Sequence, residues 1–258
     1  MIGILITTSR LQMLQALSRP TFRFCLIIQP ILYTLILMMM FQQSGKTDIV
    51  TFIVLGSGLL TLWSCICYSS AGDIERERFM GTLQVIYCTP TSFKLIMLAK
   101  IIGNTLLGLI PFVLSFIFVR FFWNEPISIH SLPKFVIGLA ATIISFISVS
   151  LLMSAIFTLS RSSRILMNCL EYPIYILSGM VFPVEMLPGW LHPVSYILSP
   201  TWAVRILRLS IEGNDSNSVY YYYIAVLSAI TLMYFIFANV LFNAIDKKTR
   251  IDASIGVV

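Results

Sequence analysis

Apolar residues run along this chain in long unbroken stretches, separated by short segments in which charge, glycine and proline gather. Six stretches are long enough to cross a hydrocarbon core of about 30 Å as a helix: roughly Phe22 to Gln42, Ile49 to Gly72, Leu95 to Val119, Phe135 to Ser160, Ile165 to Val181 and Tyr220 to Ile245. A membrane β-barrel would alternate apolar and polar residues in segments of about ten, and these runs are continuous. The pattern predicts an all-α, polytopic membrane protein with six transmembrane helices in one transmembrane domain, residues 1–258.

The connections refine this picture. Residues 1–21 interleave Ile4, Leu5, Leu11, Leu14 and Leu17 with Arg10, Gln12, Gln15 and Arg19, and Pro20 ends the pattern. That spacing predicts an amphipathic helix lying at the membrane interface, with a solvated tail as the alternative. No small-residue cleavage site closes the first apolar run, so it is expected to stay in place as the first span. Residues 182–219 carry Pro183, Pro188, Trp190, Pro193, Pro200 and Trp202 among apolar residues. The stretch is too oily for a loose loop and too often broken by proline for a straight span. It is expected to form an outer re-entrant pair of short helices, with Trp190, Tyr196 and Trp202 at headgroup depth.

Composition agrees: 58% of the residues are hydrophobic and 11% charged, where soluble domains carry about 25% charged residues. With the N-terminus inside, Lys46, Arg120, Lys134, Arg205 and Arg208 fall outside and the other twelve of the 17 Lys and Arg residues fall inside. Basic residues concentrate on cytoplasmic loops, so both termini and the segment 73–94 are expected in the cytoplasm of a multi-pass inner (plasma) membrane protein. Topology thus accounts for the net charge of +6, and nucleic acid is not an expected partner.

Catalytic motifs are missing. Gly45-Lys46-Thr47 ends like a phosphate-binding loop, but Met40 stands where its first glycine is required. Gly56-Ser57-Gly58 lacks the nucleophile-elbow frame and suits close helix packing. No His/Cys cluster with metal-ligand spacing occurs. The chain is therefore expected to bind no cofactor and to catalyse no reaction, and any ATP and Mg²⁺ would sit on another polypeptide.

Residues 73–94 stand apart. Asp73, Glu75 and Glu77 would open a helix there, with Arg76 and Arg78 following and Pro90 ending it. Phe79, Leu83, Ile86 and Tyr87 recur at helical spacing, an apolar stripe able to enter a groove on a partner. Intramembrane ionisable residues are functional candidates. Lys100 and Glu171 lie at similar depth, either as an ion pair or reaching separately toward water. Gln29, Asn104 and the Gln29-Pro30 and Tyr172-Pro173 steps add polar groups and kinks that could line a path.

Glu77, Gly81-Thr82-Leu83, Thr89-Pro90, Ser92 and Lys100 together resemble the inner-loop motif of type-2 permeases of ATP-binding-cassette (ABC) exporters. Ser178-Gly179, Phe182-Pro183, Leu187-Pro188, Trp190-Leu191 and Pro200-Thr201 resemble the same family's second motif, and the likeness extends over nearly the whole chain. Gln84 departs from the family's usual glutamate. The resemblance implies a coupling helix at Glu75, Glu77, Arg78, Phe79, Gly81, Thr82, Leu83 and Pro90 that meets a cytosolic ABC ATPase subunit. It also implies an outer gate segment at Gly179, Pro183, Pro188, Trp190 and Pro200. A second permease chain, as homodimer or heterodimer, would complete the pathway, with an amphipathic substrate: a drug, an antimicrobial peptide or a lipid-linked glycan. The alternative is an ATP-independent secondary transporter or channel, which would place broken helices at the bilayer midplane.

Overall fold

A computed structural model describes residues 2–41, 48–87, 89, 91–123, 130–160, 163–213 and 217–252, and among them the chain is helical and contains no strand. The order is α1 (Ile2–Leu17), α2 (Pro20–Phe41), then α3 (Asp48–Trp63), which passes through a π-helical stretch (Ser64–Tyr68) into α4 (Ser69–Phe79). The short α5 (Thr82–Tyr87), α6 (Phe93–Trp123), α7 (Leu132–Leu159) and α8 (Ser163–Leu177) follow. Two 3₁₀ turns (Val184–Met186 and Gly189–Leu191) lead to α9 (His192–Ile197), α10 (Ser199–Glu212) and α11 (Asn217–Asp252).

Five helical runs are long and apolar enough to cross a membrane: Pro20–Phe41, Val50–Phe79, Phe93–Phe122, Leu132–Leu159 and Asn217–Lys247. The stretch expected as a further span, Ile165 to Val181, becomes α8, whose 15 residues reach about 22 Å at 1.5 Å per residue. It stops short of Val181 because Gly179 takes φ +79° and turns the chain before the hydrocarbon thickness is covered.

The run through α3 and α4 forms the axis of the bundle, with 89% of its apolar window buried against 11% for α11. Leu55, Leu59, Leu62 and Ile66 pack into a core shared with Phe146, Leu151 and Phe157 of α7. Trp63 meets Phe146 edge-on with ring centroids 5.1 Å apart. Buried Thr142, Ser145, Ser148, Ser150 and Ser154 keep the inner face of α7 slim, which allows helices to approach closely. Ser150 Oγ also donates to the carbonyl of Ile66 within the π-helical stretch at 3.1 Å.

Helix α1 packs along α6, and the two come so close that a side chain at Gly103 would meet the Ser9 carbonyl at 2.8 Å. Its polar and small residues Ser9, Gln12 and Ala16 face inward while Ile2, Ile6, Leu11 and Leu14 are exposed. Apolar side chains are thus turned away from the protein, together with the exposed Arg10.

At the opposite end of the bundle, α9 and α10 form the short pair expected for 182–219. α10 lies against α7, α11 and α3 and buries Trp202, Ile206 and Leu207. Trp202 is buried and donates its indole N–H to the Tyr196 carbonyl at 2.8 Å. The neighbouring Trp190 is 75% exposed.

Candidate coupling and translocation site

The expected helix over Asp73 to Ser92 is in fact two elements. α4 continues the axis helix to Phe79, and the chain then turns at Met80–Gly81, where Gly81 holds φ +70°, a conformation that costs other L-residues about 1–2 kcal/mol. The acidic residues consequently lie within the run descending from α3, and Asp73 is 2% exposed.

The turn is braced by the motif residues. Thr82 Oγ1 donates to the carboxylate of Glu77 and, at 3.2 Å, to the Glu77 carbonyl. Lys100 Nζ of α6 lies 2.5 Å from Glu77 Oε1. Arg78 donates to the carbonyls of Ser160 at 2.5 Å and Thr158 at 2.9 Å, where a cation complements the C-terminal end of α7. Arg78 is thereby committed to its own chain, and the partly buried Glu75 stands one turn above Phe79 on α4.

The break at Gly81 also shifts the helical phase, which corrects the expected stripe. Leu83 is 2% exposed and belongs to the core, while Ile86 and Tyr87 pack partly against it. Tyr87 stacks on Phe93 with centroids 4.3 Å apart, and burial, then the nearby Asp246, push its hydroxyl pKa up. The apolar side chains left exposed at the tip are Phe79 at 91%, Met80 at 59% and Val85 at 65%. Pro90 lies outside the described residues.

Above the turn lies a buried polar knot that the sequence did not announce. Asp73 accepts from Gln12 Nε2 at 2.5 Å and from Asn104 Nδ2 at 3.1 Å, and Arg19 Nη2 lies 2.9 Å from its other oxygen. Gln12 also donates to Asn104 Oδ1 at 3.0 Å. Asn104, expected along a path, is fully buried in this knot, which joins α1, α4 and α6. The one available signal was Gln12, a polar residue at helical spacing from Ser9 and Ala16.

Lys100 and Glu171 do not pair. Lys100 is taken by Glu77, and Glu171 Oε1 instead accepts from Ser64 Oγ at 2.9 Å and from the Tyr175 hydroxyl. Ser64 Oγ is 2.8 Å from the Tyr175 hydroxyl and 3.4 Å from Gln29 Nε2, and Gln29 donates to Tyr33 at 2.9 Å. Gln29 and Glu171, separate candidates in the sequence, therefore meet across Ser64, the first residue of the π-helical stretch.

In the segment expected as an outer gate, Gly179 makes the turn out of α8, and Pro183 and Pro188 each cap a 3₁₀ turn. Trp190 projects from the second turn, and Pro200 is buried in the first turn of α10. Proline suits these positions because its fixed φ and missing N–H cost nothing at a helix start.

Curated relatives support the same assignment. The chain is 24% identical over 187 residues to a probable multidrug ABC transporter permease, YbhS, of Escherichia coli K12, with 69% of this chain and 46% of the relative covered. The same permease of Escherichia coli O157:H7 matches equally. The chain thus spans about half the length of these relatives. Residues 4–211 match the sequence model of the ABC-2 type transporter family, and with the helical architecture and the braced turn already in place, the chain belongs to that family.

Proposed function

We propose that this chain is the transmembrane permease subunit of an ATP-driven exporter, pairing with a second permease chain and energised by a separate cytosolic ATPase that docks at the α4–α5 turn. The observation that carries this reading is the tip itself. Phe79, Met80 and Val85 present apolar surface to solvent, while the base of the turn is tied to α6 through Lys100 and to α7 through Arg78. Exposed apolar surface beside charge is characteristic of a docking anchor. A push on it would pass directly into α3 through the continuous helix, into α6 through the Lys100–Glu77 ion pair and into α7 through the Arg78 hydrogen bonds.

On this reading ATP and Mg²⁺ belong to the ATPase, the chain holds no cofactor, and the protein sits in the inner membrane with both termini and the α5 end in the cytoplasm. The substrate class is amphipathic: a drug, an antimicrobial peptide or a lipid-linked glycan.

The test is co-isolation of the tagged chain from native membranes, reading Mg²⁺-dependent ATP hydrolysis in the eluate. Activity should accompany the unaltered chain and fall by about tenfold or more with Phe79→Ser combined with Val85→Ser, since truncated interface anchors typically cost ≥2 kcal/mol each. Equal activity in both eluates would reject docking at this tip.

A further inference from the structure

We infer that Glu171, with Gln29, Tyr33, Ser64, Tyr172 and Tyr175, forms a binding subsite for the cationic head of an amphipathic ligand. The inference rests on the proposed export function and narrows its substrate class to amphipaths bearing a quaternary or protonated amine.

Three helices supply the cluster: α2, the π-helical stretch and α8. Counted at 1.5 Å per residue, Gln29 lies about 13 Å from the start of α2 and Glu171 about 12 Å from the start of α8, so each sits more than two turns into an apolar helix. A carboxylate at such depth is costly and normally paired. Asp73 and Glu77 follow that rule, the first with Arg19 at 2.9 Å and the second with Lys100 at 2.5 Å. Glu171 instead accepts from two neutral hydroxyls, Ser64 and Tyr175, and among the described residues no Lys or Arg lies within ion-pair distance of it. Its charge is hydrogen-bonded but not neutralised, which is the electrostatic condition that attracts a cation.

Aromatic rings gather around Tyr175, the tyrosine whose hydroxyl donates to the carboxylate. Tyr175 meets Tyr33 edge-on at 6.4 Å and Tyr172 edge-on at 6.3 Å. Ring faces beside a carboxylate are what an ammonium group prefers, through charge and cation–π attraction together. The site is reachable, because Tyr172 is 65% exposed and Glu171 only partly buried. Beside Glu171 a cleft of about 20 Å³ opens between Trp63, Met153, Met167 and Leu170. That volume holds about one water-sized group, so the ammonium head must sit on the exposed Tyr172 side of Glu171 and the tail along the outer apolar surface of α8, where Ile165 and Ile176 are exposed. The π-helical stretch belongs to the site as well: it carries Ser64 at the meeting point of Gln29, Glu171 and Tyr175, and π-bulges recur at functional positions.

The competing account is that the cluster only glues helices together, as polar groups within membranes do. Glu171→Gln separates the two, because the amide oxygen still accepts from Ser64 and Tyr175 while the charge is gone. Binding of radiolabelled dodecyltrimethylammonium to the chain in nanodiscs, with empty nanodiscs subtracted, should weaken by about tenfold or more in Glu171→Gln. Tyr172→Ala should weaken it several-fold, and Tyr222→Ala, at an exposed tyrosine of α11, should leave it unchanged. Displacement by dodecyl alcohol, which carries the tail without the charge, should be the same in all four proteins. Equal affinity in the unaltered chain and Glu171→Gln, or retention no greater than that of empty nanodiscs, overturns the subsite. Should Glu171→Gln lower thermal stability, Tyr172→Ala decides, and an unchanged affinity there overturns the proposal. No ATPase takes part in this measurement, so its failure is distinct from failure of the co-isolation experiment.

Discussion

At the end of the bundle that carries α5, charged side chains reach from helix to helix: Arg19 to Asp73, Lys100 to Glu77, and Arg78 to the last carbonyls of α7. At the α10 end the fastening is apolar and backbone-based. α10 buries Trp202, Ala203, Val204, Ile206 and Leu207, and the Ser131 and His130 amides donate to the Ser210 and Ile211 carbonyls at 3.2 and 3.3 Å. The arginines at that end rest on rings, Arg205 over Tyr196 and Trp202 at 4.9 and 5.5 Å and Arg208 over Phe52 at 4.7 Å. The difference is one of directionality. Ion pairs and charged hydrogen bonds to single atoms transmit a displacement along defined lines, whereas apolar packing holds a plug in place without specifying a direction. The end proposed to receive an ATPase has the first kind, and the proposed gate has the second.

The largest effect should come from the centre of the ionic end. Asp73→Ala removes the acceptor shared by Gln12, Asn104 and Arg19, three partners from α1, α6 and the α1–α2 junction. Breaking a buried pair costs about 3–5 kcal/mol, and Arg19 keeps 25% side-chain exposure, which places the expected loss near the low end of that range. Thermal unfolding in detergent measures it. Stability within about 1 kcal/mol of the unaltered chain would show that the knot is not a fastening and would remove half of the contrast.

Much of the fold was legible because a membrane span advertises itself: α2, α6, α7 and α11 coincide with continuous apolar runs, and Pro183, Pro188 and Pro200 mark where helices begin. What escaped had two physical causes. Reading 73–92 as one helix carries the helical phase straight through Gly81, which puts Leu83 on the docking face when it belongs to the core. Partners across the bundle carry no local signal either: Gln12 is 61 residues from Asp73 and 92 from Asn104. Equal depth suggests Lys100 with Glu171, but depth says nothing of azimuth, and Glu77 faces Lys100 across the turn. The polar centres of the site, Gln29 and Glu171, stand out individually by their cost in lipid, while Ser64, which joins them, looks like any small residue in a span.

A smaller effect is expected at the turn that positions the docking tip. Gly81 sits at φ +70° with nothing within 4 Å of where a methyl group would stand, so Gly81→Ala meets no steric neighbour and its cost is purely conformational, about 1–2 kcal/mol. Gly81→Asn should cost less, since asparagine tolerates the left-handed region. The order Gly, Asn, Ala in thermal stability checks this. The same order in co-isolated ATP hydrolysis would tie the geometry of the turn to docking, and a substitution to Ala as stable as Gly would mean the turn relaxes without loss.

The smallest effect belongs to the apolar end. Glu185 Oε1 lies 3.5 Å from Arg205 Nη2, but Glu185 is 69% exposed on its side chain, and exposed pairs contribute about 0–1 kcal/mol. Arg205 keeps its ring contacts without it. Glu185→Gln should therefore shift thermal stability by less than about 0.5 kcal/mol, and raising salt should change the unaltered chain and the variant alike, because screening acts on an exposed pair that contributes little from the start. A loss comparable to that of Asp73→Ala would mean that ionic fastening operates at both ends, and the distinction between a directional coupling end and a packed plug would fall.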